Sequence, residues 1–247
     1  MGPTMQRTWF ITGASRGLGA QIAKAAMRAG DRVVATGRRR EAVIEGLGPD
    51  SDQLLSIELD VTYAGQARAA VQAALSRFGT IDVLVNNARY GHLGFFEENT
   101  IQDTQAHFAT NLFGVFNLSW AVLPIMRSAR KGRIFNISSF GGILGEELGP
   151  LHCASKFALE GFSESLSKQI TPLGLFVTIV EPGPPFEPRN GQHPARLAEA
   201  IVRLASKAEA PMRFIAGSNS VDVAAVRCPA GNSCLTRGNQ VQSHARC

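Results

Sequence analysis

Two groups of residues in this chain of 247 have the types and spacing for chemistry. The first is TGASRGLG, residues 12–19, where Gly13, Gly17 and Gly19 follow an apolar run and precede a helical period. A phosphate needs backbone N–H groups bare of side chains at the positive end of a helix dipole. A glycine-rich turn alone says little, and an ordinary tight turn has the same composition. The strand–turn–helix setting is what points to a dinucleotide. The second group is Ser139, His152 and Lys156, with Lys156 four residues after His152. Serine and histidine also make a hydrolase pair, but Ser139 stands in NISS rather than in a GxSxG elbow. His92, His107, His193 and His244 lack metal-ligand spacing, and Cys153, Cys228, Cys234 and Cys247 include no CxxC pair. No metal site is expected.

The elements that must position these residues are legible from periodicity. Strands are expected at 7–12, 31–36, 53–59, 81–87, 132–138, 175–180 and 212–217. Helices are expected at 17–29, 64–78, 103–129, 151–170 and 195–206. The stretch 103–129 is apolar nearly all round, which predicts a buried helix. Strands alternating with helices predict one doubly wound, Rossmann-like α/β domain over residues 1–221, with a mostly parallel seven-stranded sheet covered on both faces. Residues 222–247 are rich in turn formers without a sustained period, which predicts an irregular tail. There are no internal repeats.

Composition narrows the classes further. Apolar residues are 45%, charged residues 18% and the net charge +5. That excludes a disordered polyelectrolyte or a coiled coil, and the length allows one sizeable core. Basic charge forms one run, Arg38, Arg39 and Arg40, with no aromatic platform beside it, so no nucleic-acid partner is expected. Apolar stretches such as LFVTIV (175–180) are far shorter than a bilayer span. The start, MGPTMQRTWF, has no signal-peptide pattern, and Gln6 departs from the myristoylation pattern. The expectation is a reduced cytoplasmic protein with no membrane partner.

The spacing TGxxxGxG resembles the short-chain dehydrogenase/reductase family, and further motifs recur in order over residues 7–183. LDVT (59–62), NNA (86–88), Asn111, NISS (136–139), ASKFALEGFSESL (154–166) and VEPG (180–183) are similar to its motifs. The resemblance implies hydride transfer between a nicotinamide cofactor and a carbonyl or alcohol of a small molecule. It implies a phosphate-side cradle of Gly13, Ser15, Arg16, Leu18 and Gly19, and an adenine-side turn at Asp60 and Val61. Asn87, Ala88, Lys156, Pro182 and Gly183 would lie along the nicotinamide half. Ser139 would orient the substrate oxygen, Lys156 would tune the acid, and Asn111 would support the proton path. The helices 103–129 and 151–170 resemble those with which the family forms homodimers and homotetramers.

Cofactor choice follows from charge. An acidic residue ending the second strand would hold ribose hydroxyls and repel a 2′-phosphate. Here that corner is Thr36, Gly37, Arg38, followed by two more arginines, with Arg16 in the turn. Guanidinium groups hold phosphate bidentately, so NADP(H) is expected over NAD(H), the other reading being a solvated helix start.

Three departures from the family pattern bear on activity. The catalytic Tyr position is His152, and neither Tyr63 nor Tyr90 precedes a lysine by four. The Lys156 cation disfavours imidazolium, which leaves a weak acid for reduction but a serviceable base for oxidation. Arg89 replaces the last glycine of NNAG, to crowd the cofactor, to enter the cleft or to face solvent. The substrate lid is shortened to 184–194, which is rich in proline. An oxidoreductase of impaired activity is expected. The alternative is an inactive NADP(H)-binding homologue serving as sensor, scaffold or oligomer partner.

Overall fold

The computed structural model describes residues 6–183, 194–216 and 235–237. Seven short apolar runs form parallel strands: β1 (Thr8–Ile11), β2 (Arg32–Gly37), β3 (Leu54–Glu58), β4 (Val83–Asn86), β5 (Gly132–Ile137), β6 (Leu175–Pro182) and β7 (Arg213–Ala216). Their order is β3-β2-β1-β4-β5-β6-β7. An eighth, β8 (Leu235–Arg237), pairs parallel with β7. It falls inside the stretch expected to be irregular. The free outer edge of β7 offers unpaired N–H and C=O groups, and a three-residue segment suffices to pair them. The β1 strand lies between β2 and β4, so the chain order reverses there and opens a crevice at the strands' carboxyl ends.

Helices cover both faces because the strands are buried on both. The helices α1 (Gly17–Arg28) and α7 (Pro194–Ala205) pack on one face through Ile22, Ala26, Leu197 and Ile201. The other face carries α3 (Ala64–Phe78), α5 (Gly114–Ala129) and α6 (Pro150–Ile170), with Val71, Leu118, Met126 and Leu166 in the core. A short helix, α2 (Arg40–Leu47), occupies residues to which the sequence reading assigns no element. Only Val43 of its eight residues is buried, so it has almost no apolar stripe to read.

The expected helix 103–129 is continuous but not uniform. It comprises α4 (Ile101–Phe108), a π-helical turn at Ala109–Phe113, and α5. The expectation that it is buried all round is corrected: Ile101, Phe113 and Trp120 are exposed. It lies over one face of the sheet, so only its inner side meets α3 and α6. Its 29 residues, Ile101–Ala129, are also long and apolar enough to cross a membrane by length and composition, which corrects the expectation that no stretch is. Here that apolarity serves packing on neighbouring helices, with His107, Asn111 and Ser119 buried along it.

Candidate active site

The floor of the crevice is built by Thr12, at the end of β1. Its hydroxyl accepts the N–H groups of Asn87 (2.9 Å) and Ala88 (3.0 Å) and donates to the Val85 carbonyl. Asn87 returns the tie through Nδ2, which donates to the carbonyls of Thr12 (2.8 Å) and Gly13 (3.0 Å). The turn and the NNA segment are thereby locked together. Two glycines make that approach possible. Gly13 has φ +65°, and a Cβ there would stand 2.9 Å from Ala88 Cα; a Cβ on Gly19 would meet the Gly13 carbonyl at 2.4 Å. The first N–H groups of α1 have no acceptor within the helix and face this bare turn. Such a cradle fits a dinucleotide's phosphates.

The corner beyond β2 separates the arginines. Arg40 is committed, donating from Nη2 to Asp50 (2.6 Å) and from Nε to the Ser56 carbonyl (2.9 Å). Among the described residues the side chains of Arg16, Arg38 and Arg39 are exposed and make no hydrogen bond or ion pair. Ser15 is half-buried and Leu18 buried in the same turn. Asp60 closes its own turn, its Oδ1 accepting the N–H and hydroxyl of Thr62. Asn117 of α5 donates to the Val61 carbonyl at 2.9 Å, fixing that turn. Pro182 ends β6, and the Gly183 N–H donates to the Ala216 carbonyl.

Across the crevice, β5 and α6 bring Ser139, His152 and Lys156 together. Ser139 caps a short turn, its Oγ accepting the Gly141 N–H at 3.2 Å. A Cβ on Gly141 would lie 3.2 Å from His152 Cδ2, which sets the imidazole against the serine's turn. Lys156 is 1% exposed and donates from Nζ to the Ile137 carbonyl at 2.7 Å. Burial, reinforced by the Arg89 charge and opposed by Glu160, pulls the Lys156 ammonium down to about 7. Burial, then the charges of Lys156, Arg89 and His107, lowers His152 to about 4. Its ring is neutral at neutral pH, and its buried Nδ1 has no partner among the described residues.

Asn111, buried within the π-helical turn, holds the backbone of Tyr90. Its Oδ1 accepts the Tyr90 N–H (3.1 Å), and its Nδ2 donates to the Tyr90 carbonyl (3.0 Å). That Nδ2 also lies 2.8 Å from His107 Nε2. His107 therefore accepts through Nε2, a neutral tautomer assigned from the hydrogen bonds. Burial, then His92 and Lys156, lowers it to about 4. The His107 ring centroid is 6.2 Å from that of His152 and 5.0 Å from that of Tyr90. Ser155 joins them, donating to the His152 carbonyl at 2.8 Å. Sequence reasoning missed this role for His107; the signal was its position one helical turn before Asn111.

Behind the site lies a second polar layer that the sequence did not announce. Asn86 of β4 donates to Asn136 of β5, which donates to Ser163 of α6. Ser138 bonds Glu160, and Arg213 of β7 pairs with Glu160, Glu164 and Glu181. Burial and then Glu160 raise the fully buried Glu181 to about 7. These contacts pin α6, and with it His152 and Lys156, to the sheet. His193, His244, residues 184–193 of the lid expected at 184–194, and three of the four cysteines lie outside the described residues.

Residues 7–188 match the family model described as short chain dehydrogenase. A curated oxidoreductase, BOA17 of Botryotinia fuckeliana, is 32% identical over 89% of this chain and 92% of its own length. A solved short-chain dehydrogenase from Streptomyces avermitilis superposes with a TM-score of 0.82 at 34% identity, covering 92% of this chain and 93% of that one. A metagenomic short-chain oxidoreductase in complex with NADP gives a TM-score of 0.76 at 30% identity, over 85% of this chain and 96% of its own.

Proposed function

The chain belongs to the short-chain dehydrogenase family, and from that premise we propose that it oxidises an alcohol to a carbonyl with NADP, the reverse reaction being slow. The observation that carries this reading is the meeting of Ser139, His152 and Lys156 at the crevice that holds the glycine-rich turn. The bound nicotinamide supplies the hydride acceptor. Ser139 Oγ orients the substrate oxygen by a hydrogen bond. His152, which takes the position the family gives to tyrosine, is neutral and accepts the hydroxyl proton. Lys156 anchors the cofactor side and keeps imidazolium unfavourable through its charge. Asn111 holds the strand-end loop against the site.

Reduction needs imidazolium. With His152 near 4, roughly one imidazole in a thousand carries the proton at pH 7. That scarcity favours a second reading, an NADP(H)-binding homologue with little turnover. The preference for NADP(H) rests on Arg16, Arg38 and Arg39, which are exposed and unpaired among the described residues. The exposed Phe113 and Trp120 on the helix 101–129 support a homodimer or homotetramer.

Calorimetric titration with NADPH and NADH tests the cofactor reading. NADPH should bind at least about tenfold tighter than NADH, and Arg38→Ala with Arg39→Ala should remove that preference while sparing NADH. Equal affinity in the unaltered protein refutes the assignment. Turnover of NADP by the same sample with secondary alcohols then separates enzyme from binder.

A further inference from the structure

We propose that the catalytic cleft takes a substrate bearing a carboxylate near the reacting carbon, and that Arg89 selects it. This deepens the reading of the cleft as an alcohol/carbonyl site and rests on it.

The place of residue 89 is fixed from both sides. Ala88 before it is tied to the Thr12 hydroxyl at 3.0 Å, and Tyr90 after it is held through both backbone groups by Asn111. Arg89 therefore stands where the glycine-rich turn meets the helix turn that carries Asn111. Its side chain is exposed, and among the described residues it makes no hydrogen bond and meets no carboxylate. Surrounding protein nevertheless holds its pKa below the ordinary value. Its charge reaches the catalytic end of the crevice, since it lowers both Lys156 and His152.

The Arg89 cation and the partly charged Lys156 thus share one cleft with two histidines that burial and like charge keep neutral. Two of the acids nearby, Glu160 and Asp103, are engaged elsewhere, and a third, Glu146, stands at the Gly141 edge of the site. Glu160 is held from behind by Arg213 and Ser138. Asp103 bonds Thr100 and faces His92 and Tyr90. Glu146 is exposed beside Gly141. An anion entering the cleft gives Arg89 the carboxylate partner that it lacks among the described residues, and a guanidinium binds a carboxylate through two parallel hydrogen bonds. Phosphates of the cofactor are served by backbone N–H groups at the Gly13–Gly19 turn, whereas the Arg89 charge is felt at His152. The rim adds a second requirement. The Gly94 N–H donates to the Leu148 carbonyl at 2.9 Å, joining two loops that expose Leu93, Phe95, Leu144 and Leu148. The ligand is a hydroxy acid with an apolar body. On oxidation its hydroxyl proton passes to His152 and its carbinol hydride to the nicotinamide, while the carboxylate stays unchanged on Arg89.

Octanoate and octanamide, identical in chain and differing in charge, are unreactive probes for calorimetry. The unaltered protein should bind octanoate about tenfold or more tighter than octanamide. Arg89→Met should bring the ratio near one, and Arg89→Lys should retain part of it. A ratio near one in the unaltered protein overturns the proposal, and so does a preference that survives Arg89→Met. Parallel NADPH titrations separate the other roles. If Arg89→Met changes NADPH affinity tenfold in either direction and leaves the octanoate preference intact, Arg89 serves or obstructs the cofactor and the proposal fails. If NADPH binds no variant, the oxidoreductase reading falls while the octanoate ratio still decides this one.

Discussion

At the scale of the residue, the proposed oxidation turns on the proton of His152. Burial and three neighbouring cationic or ionisable groups, Lys156, Arg89 and His107, bring it to about 4. A base is competent when unprotonated, so oxidation through His152 should hold its rate from about pH 5 upward instead of falling below pH 7. Reduction needs the protonated ring and should drop about tenfold per pH unit above 4. His152→Tyr places a phenol next to the Lys156 ammonium, and reduction at pH 7 should rise at least about tenfold, measured as NADPH consumption with a ketone. Unchanged rates in both directions would show that position 152 does not limit turnover. Tyr90 does not substitute for the phenol, because burial and Asp103 push its pKa upward, away from what an acid needs. Ser139, Lys156 and the glycine turn were legible in the sequence because their spacing is local. The Arg89 environment was not, since it depends on two clamps from residues far along the chain, Thr12 and Asn111.

At the scale of the element, the site depends on how α6 is fastened. One guanidinium, Arg213 on β7, joins Glu160 and Glu164 on α6 to Glu181 on β6. Arg213→Met leaves Glu160 and Glu181 buried without their cation, and stability should fall by about 3 kcal/mol at neutral pH. The sign of its pH dependence follows from the carboxyls. Burial raises Glu181 to about 7 and raises Glu160 as well, so both take up protons as pH falls and the uncompensated charge disappears. The loss in the variant should be smaller at pH 5 than at pH 8, read as the difference in unfolding midpoint between the two proteins. An equal loss at both values would mean that Arg213 acts through packing alone. The strands and long helices were readable because each buries a periodic apolar face. The helix α2 was not, with Val43 alone buried, and neither was the π-helical turn, where Asn111 answers to the Tyr90 backbone and not to any local pattern.

At the scale of the whole molecule, the sheet and its helices leave an aromatic surface uncovered on the long helix. Phe113 is 52% and Trp120 70% exposed on the outer side of the helix 101–129. Phe116 links them, its ring 5.8 Å from Phe113, 6.0 Å from Trp120 and 4.5 Å from Phe162 of α6. A ladder of rings in water is costly, and burying an aromatic side chain gains about 2 kcal/mol. The same ladder spans the two helices that carry Asn111, His152 and Lys156. A second copy of the chain on this face would bury the rings and brace the site from outside. Light scattering should give a dimeric or tetrameric mass, and Trp120→Glu should shift it to the monomer. The monomer should also lose turnover while retaining its helix content, because α5 and α6 would lose their outer support. A monomeric mass for the unaltered chain would leave the rings without that partner and assign the face another role.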